Sequence, residues 1–294
     1  MMDRQSGAVL LVVSILLAMT AALAFMLGRE GAAATQSVDA QYDAVAARYL
    51  AEAALARARW TNQSGNCGKT GFDNVAFNGG ILEAGVKDAG SKNLDIVAEG
   101  HTAGGANFVI RRNAVVLHKL SKTSPADLAA NVDTHIVAAT PTTAYGSETT
   151  LALDSGASNA LLSWQTGGLG ADALVLSATL TLKQTVTSSV PRPVSVHRVL
   201  RAWNANATWR RAGGAAWNTP GGDYSAAVAT ATAGTATDVS WDVTALVAGW
   251  YNGTIPNNGV LLRLASPGQS ATFHSMQADP ARRPILHVTY AKPC

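Results

Sequence analysis

The longest apolar segment of the chain lies at its beginning. Residues 7–28 carry no charged side chain and are bounded by Arg4 and Arg29. About 20 apolar residues in a helix cross the hydrocarbon core of a bilayer, so this segment predicts a transmembrane helix. A cleaved secretory signal fits less well, because such signals have a shorter apolar core and a small-residue cleavage site.

The helical pattern continues beyond the apolar segment. Large and small apolar residues recur at steps of three and four, as on one face of a helix; they are Val38, Tyr42, Val45, Tyr49, Ala53, Ala56 and Trp60. The glycine- and asparagine-containing segment 61–71 is typical of turns. We therefore predict one long helix over residues 8–60.

The period changes to two between residues 81 and 119. Three alternating segments are separated by glycine-containing breaks, which predicts a three-stranded antiparallel meander within a region spanning residues 61–120. Three strands cannot bury an apolar face alone. We expect the stripe that carries Tyr42 and Tyr49 to cover it.

Residues 121–131 are polar and contain Pro125, and we predict a linker there. Short β-like segments follow throughout residues 132–294, with one helix predicted at 244–251. The predicted strands are 133–140, 149–154, 159–166, 175–186, 194–201, 239–243, 259–266, 271–276 and 284–290. The predicted fold is thus an α+β N-terminal part followed by an all-β sandwich.

Composition narrows the function classes. Only 14% of residues are charged, the net charge is +3, and no basic tract indicates a nucleic-acid partner. The chain contains none of the common nucleophile, metalloprotease or nucleotide-binding motifs. Cys67 and Cys294 do not have zinc-site spacing, and in an exported protein they could form a disulfide.

Several features near the N-terminus occur together. Met1–Gly7 form a short leader before Ala8, the apolar helix follows, and residues 50–55 read Leu-Ala-Glu-Ala-Ala-Leu. This combination resembles a type IV pilin of the PilX-like minor pilin kind. The resemblance implies cleavage between Gly7 and Ala8, a membrane anchor before assembly, and packing against other pilin subunits. Major pilins carry glutamate where this chain has Val12, which favours a minor subunit at a filament tip.

A second set of short motifs runs through residues 132–294. They include Asp133-Thr134-His135-Ile136, Ala144-Tyr145-Gly146-Ser147, Ala207-Thr208-Trp209, Trp241-Asp242-Val243-Thr244 and Gly259-Val260-Leu261-Leu262-Arg263. Their number and order resemble the DNRLRE domain, a jelly-roll sandwich classed among carbohydrate-binding modules. Ser163-Trp164 departs from the Arg-Phe usual in that family.

Three aromatic residues are candidates for sugar contact. Trp209, Trp217 and Tyr224 flank a glycine-rich loop, and exposed aromatic faces stack on the apolar side of sugar rings. Trp203, Trp241 and Trp250 are interpreted as core instead, since a sandwich rich in small residues needs large side chains to fill it.

Three aspartates are candidate ligands of a structural calcium ion. Asp133, Asp154 and Asp279 could supply some of the six to eight ligands that calcium needs. No other cofactor is expected. Paired aspartates could also support glycoside hydrolysis, but turn and capping roles explain them better.

The interpretation favoured by the sequence is a minor pilin that displays a sandwich for contact with a surface such as a polysaccharide. It would reside in a bacterial inner membrane before assembly and at the cell surface afterwards. Three alternatives remain open: a membrane-tethered carbohydrate-binding module outside any filament, a structural cap without ligand, and, least favoured, an enzyme acting on polysaccharide.

Overall fold

The chain forms two compact units, Met1–Leu117 and His118–Cys294. The computed structural model describes residues 4–65, 67–90, 93–170 and 172–294, without the side chains of residues 4–15, 27–35 and 122. The predicted leader therefore lies partly outside the described residues, as does the side chain of Ala8.

The first unit consists of a long helix and an antiparallel sheet. Helix α1 is Arg4–Ser64, and the strands are β1 Phe72–Phe77, β2 Gly80–Gly90, β3 Asn93–Thr102 and β4 Asn107–Val116, in the order β1-β2-β3-β4. The prediction of three strands is therefore wrong, because the sheet has four. Strand β1 was missed because its burial does not alternate, with four of its six side chains exposed.

Helix and sheet pack through small residues. The buried face of α1 carries Ala47, Leu50, Ala51 and Ala54, whereas the predicted covering residues are exposed, Tyr42 at 74% and Tyr49 at 67%. A Cβ atom added at Gly100 of β3 would lie 2.3 Å from the Ala51 nitrogen and 2.4 Å from the Ala47 oxygen. The backbone of β3 thus touches the helix backbone, and aromatic side chains would prevent this approach.

The predicted membrane span at residues 7–28 is only partly described. Among the described residues, no helix is long and apolar enough to cross a membrane. Side chains 7–15 and 27–28 lie outside that description. The span therefore stays a prediction.

The second unit is built from two antiparallel sheets and one short α-helix, with 3₁₀ turns at Gly167–Leu169 and Pro280–Arg282. Its elements are β5 His118–Ala129, β6 Val132–Val137, β7 Thr150–Asp154, β8 Ser158–Ser163, β9 Leu174–Lys183, β10 Arg192–Val199, β11 Tyr224–Ala233, β12 Asp238–Asp242, α2 Thr244–Tyr251, β13 Val260–Leu264, β14 Ser270–His274 and β15 Ile285–Pro293. The larger sheet has the order β11-β10-β13-β8-β7-β14, with β6 also paired to β8. The smaller sheet has the order β12-β9-β15-β5.

The two sheets face each other across one apolar core, as the predicted sandwich requires. Val194, Val196 and Leu262 enter it from the larger sheet, while Leu180 and Trp241 enter it from the smaller one. The Trp241 indole also donates a hydrogen bond to the Val194 carbonyl at 2.9 Å. This buried bond across the core satisfies the one polar atom of the side chain.

Two predictions about this unit need correction. Residues 121–131 form most of strand β5 rather than a linker, and Pro125 is tolerated because β5 is an edge strand. Residues Tyr224–Ala233 form strand β11, which was not among the predicted strands. Helix α2 has the predicted bounds, and the Asp242 carboxylate accepts bonds from the backbone nitrogen and hydroxyl of Thr244 at its start.

Candidate functional site

The face of the larger sheet that points away from the core carries a polar network. Ser195 and His197 alternate with core residues on β10, and Ser195 lies opposite Arg263 on β13. The Ser195 hydroxyl lies 2.8 Å from His197 Nε2, and His197 Nδ1 lies 2.8 Å from the Ser225 carbonyl. Burial lowers the pKa of His197, which favours the neutral ring at this position. We call this face the outer face.

The segment 200–223 covers one end of the outer face. It leaves the sheet after β10 and returns at β11, where the Leu200 nitrogen donates to the Asp223 carbonyl at 2.9 Å. A second apolar cluster fixes it to the sheet; its buried members are Ile136, Leu161, Val199, Ala207, Ala212, Trp217 and Leu261. The segment is therefore an ordered cover with its own core.

The three predicted sugar-contacting aromatics belong to this cluster in different ways. Trp217 is only 5% exposed, and its indole donates to the Thr208 carbonyl at 2.9 Å. Its ring therefore cannot form a sugar platform, and that part of the prediction is wrong. Trp209 and Tyr224 are partly buried against the cluster.

Trp209 is held by a close backbone approach. The Gly221 nitrogen donates to the Trp209 carbonyl at 2.7 Å, and a Cβ atom at Gly221 would lie 2.9 Å from the Trp209 ring. Gly221 also has a φ of 97°, in the region that favours glycine. The glycines of this loop therefore serve ring packing, which the sequence pattern alone did not show.

A cleft of about 480 Å³ opens between the two ends of the segment. It is lined by Leu200, Arg201, Asn218, Thr219, Gly222, Asp223 and Tyr224. This volume is in the range of sites for small ligands. We call it the Arg201 cleft.

Arg201 is fixed in the cleft by two partners. Its Nε donates to Asp223 Oδ2 at 3.0 Å, and its Nη2 donates to Asn218 Oδ1 at 2.8 Å. The Arg201 side chain is 35% exposed, whereas that of Asp223 is 7% exposed. The remaining guanidinium N–H groups are thus held in place at a solvent-accessible position.

Asp223 organises the returning end of the segment. Its carboxylate accepts hydrogen bonds from the backbone nitrogens of Asn218 and Thr219, each at 3.0 Å. Burial by itself raises the pKa of Asp223, but these two donors and Arg201 together hold the pKa below its usual value. The carboxylate is therefore ionised at neutral pH.

Tyr224 forms the wall of the cleft next to the outer face. Its hydroxyl accepts a hydrogen bond from Arg263, whose guanidinium carbon lies 5.3 Å from the ring centroid. The His197 ring approaches edge-on at 5.0 Å between centroids. These contacts fix the tyrosine ring, as a recognition surface requires.

The predicted calcium ligands do not come together. Within the described part of the chain, the one group of three or more potential metal-ligating side chains is Glu83, Glu99 and His101. Asp133 is buried at 1% exposure and accepts a hydrogen bond from the Met276 nitrogen at 2.6 Å. Asp154 and Asp279 are exposed.

The cysteines were predicted to pair. Both Cys67 and Cys294 are disulfide-bonded, and neither is a free thiol. The specific Cys67–Cys294 pairing stays a prediction.

Arg201, Asn218 and Thr219 were not among the site residues predicted from the sequence. Arg201 is at the end of a predicted strand and its partner is distant in sequence, so no local motif connects them. Gly221 and Gly222, just before Asp223, indicated an unusual backbone conformation. They did not indicate which side chain would bind that backbone.

Comparison with known protein families gives a match that covers most of the second unit. The sequence model of carbohydrate-binding module family 96 matches residues 124–290, which include nearly all of the second unit. No curated protein matches the chain.

Proposed function

Because the chain belongs to carbohydrate-binding module family 96, we propose that its second unit binds a polysaccharide and that the Arg201 cleft is the binding site. The family match over residues 124–290 is the observation that carries the proposal. Under this proposal, the second unit binds polysaccharide and does not catalyse a reaction on it.

The groups in the cleft suit sugar hydroxyls. The Arg201 guanidinium supplies donors in a planar fork, and the Thr219 hydroxyl can donate or accept. Asn218 uses its carbonyl oxygen for Arg201, and no described residue accepts a hydrogen bond from its amide nitrogen. These groups surround the fixed ring of Tyr224, which supplies an apolar surface.

The cleft is also rigid before any ligand arrives. Asp223 fixes Arg201 and two backbone nitrogens, while the cluster around Trp217 fixes the rest of the segment. A ligand therefore does not have to order these side chains on binding, which reduces the entropic cost of association.

A panel of immobilised polysaccharides, screened with the full-length chain, tests this proposal. Asn218→Ala removes an amide from the cleft, and Asn206→Ala removes the same group from an exposed loop position outside the cleft. We expect Asn218→Ala to bind about tenfold more weakly, in line with the loss of one or two hydrogen bonds. Absence of binding to every polysaccharide, or equal loss in both variants, would contradict the proposal.

We further propose that the N-terminal part presents this unit on a type IV pilus-like filament, as a minor and tip-located subunit. Two features support this: the uncharged segment 7–28, and an exposed apolar stripe that includes Val38 at 64%, Tyr42 at 74% and Tyr49 at 67%. Such a stripe suits packing against other subunits. The protein would lie in the bacterial inner membrane before assembly and at the cell surface afterwards.

Mass spectrometry of the mature N-terminus tests the filament proposal. Cleavage after Gly7 leaves Ala8 as the first residue, which is the expected result. An intact Met1 would favour a membrane-tethered binding module, and a terminus beyond residue 28 would exclude both arrangements.

A further inference from the structure

Two carboxylates lie directly opposite each other in the first unit. Glu83 on β2 pairs with Glu99 on β3 in the register of the antiparallel sheet. Like charges at directly opposed positions destabilise a sheet unless a cation compensates them. Neither carboxylate has a hydrogen-bond donor among the described residues apart from its approach to His101.

His101 places a nitrogen between these carboxylates. Its Nε2 lies 3.8 Å from Glu83 Oε2 and 3.8 Å from Glu99 Oε2. That nitrogen is inaccessible to solvent and has no hydrogen-bond partner among the described residues, although the His101 side chain as a whole is 31% exposed. A buried polar atom without a partner is costly, so this nitrogen points to a ligand.

The three ligating atoms lie within 4.8 Å of one another. Ligand atoms of this kind bind such an ion at about 2.0–2.2 Å. Small side-chain rotations would therefore bring all three atoms to one common ion. Lys87 and Arg111 line the same trough as the two glutamates but form no ion pair with either of them. Among the residues that the structure describes, the imidazole is therefore the one cationic group that approaches these two carboxylates.

We propose that Glu83, Glu99 and His101 bind a divalent transition-metal ion of the zinc class. One imidazole and two carboxylates form a ligand set that such ions accept, with water in the remaining positions. The ion would cancel the repulsion between the glutamates and join β2 to β3. This site lies in the first unit and is independent of polysaccharide binding by the second.

Titration of the metal-free full-length chain with ZnCl₂ tests the site by calorimetry and by thermal unfolding. We expect one bound ion and a raised melting temperature. His101→Ala and Glu99→Gln should each weaken binding by at least about tenfold. His287→Ala is the matched control, because His287 lies in the second unit in an exposed ion pair with Asp127, and its loss should leave the affinity unchanged.

His101→Ala and Glu99→Gln each remove one proposed ligand, and they differ in their effect on folding. Glu99→Gln preserves side-chain shape and relieves the charge repulsion, so it folds even if His101→Ala does not. Absence of zinc binding by the wild type at about 1 mM ZnCl₂ would overturn the proposal. Equal binding by the wild type and Glu99→Gln would overturn it as well, leaving a histidine–glutamate ion-pair network.

Discussion

The guanidinium of Arg201 and the carboxylate of Asp223 are joined at 3.0 Å, one at the beginning and the other at the end of the segment that covers the outer face. Because Asp223 also receives two backbone N–H bonds, this contact determines both the shape of the segment and the position of the donors in the cleft. The stability of the segment and the geometry of the proposed binding site therefore depend on the same carboxylate.

Replacing that carboxylate should be costly. Asp223→Ala leaves Arg201 and two backbone nitrogens without their acceptor in a largely buried place, so we expect a loss of about 2–4 kcal/mol in the free energy of unfolding. Denaturant unfolding measures it. Asp238→Ala is the control, because its pair with Lys183 is more exposed and should contribute less than about 1 kcal/mol. Equal losses would show that Asp223 does not organise the segment.

Stability should fall with rising pH through Asp133. Burial raises the pKa of Asp133 to about 6, above the value of an unfolded chain. The folded state therefore retains a proton that the unfolded state releases, so this contribution is fully present below about pH 4 and is lost by about pH 6. The free energy of unfolding of the wild type should therefore fall by about 2–3 kcal/mol between pH 4 and pH 7, and that of Asp133→Asn should not show this fall.

Unfolding curves at both pH values, with the exposed Asp154→Asn as control, check that expectation. A difference between Asp133→Asn and wild type that is the same at pH 4 and pH 7 would contradict it.

Packing of the first unit can be tested at two glycines. Gly100→Ala places a Cβ atom 2.3 Å from the helix backbone and should destabilise the unit by about 1–3 kcal/mol. Gly85→Ala lies in the same sheet with no atom within 4 Å of the added Cβ, so it should change stability little. Hydrogen exchange of helix residues 47–58 measures the effect, and equal protection in the two variants would refute this packing.

Peptide mapping under non-reducing conditions tests the predicted cysteine pairing. We expect a linked peptide that contains Cys67 and Cys294 and that separates on reduction. A linkage between two copies of the same cysteine peptide would instead show a bond between chains.

Local patterns predicted much of the fold, because periodicity reports which side chains alternate into a core. Helix α2 was predicted with its correct bounds, since Leu246, Val247 and Trp250 mark its buried face. Strand β11 was missed because it is an edge strand made mostly of alanine, serine and threonine, with few buried side chains.

The site was predicted less well, because its contacts are distant in sequence. Trp217 was expected near the surface, but it is buried in the second cluster with residues of strands β6, β8, β10 and β13. Arg201 and Asp223 meet only because β10 and β11 are neighbours in the sheet. Such a pairing depends on topology, which no local motif of this chain encodes.

The most direct test of the account is whether filling the Arg201 cleft abolishes polysaccharide binding. Thr219→Trp places a large ring at the exposed lining position, and Thr235→Trp places the same ring at an exposed turn beyond the far end of β11. Binding of the best polysaccharide from the panel should be lost in Thr219→Trp and retained in Thr235→Trp. Wild-type affinity in Thr219→Trp, with the fold intact, would show that the sugar binds elsewhere.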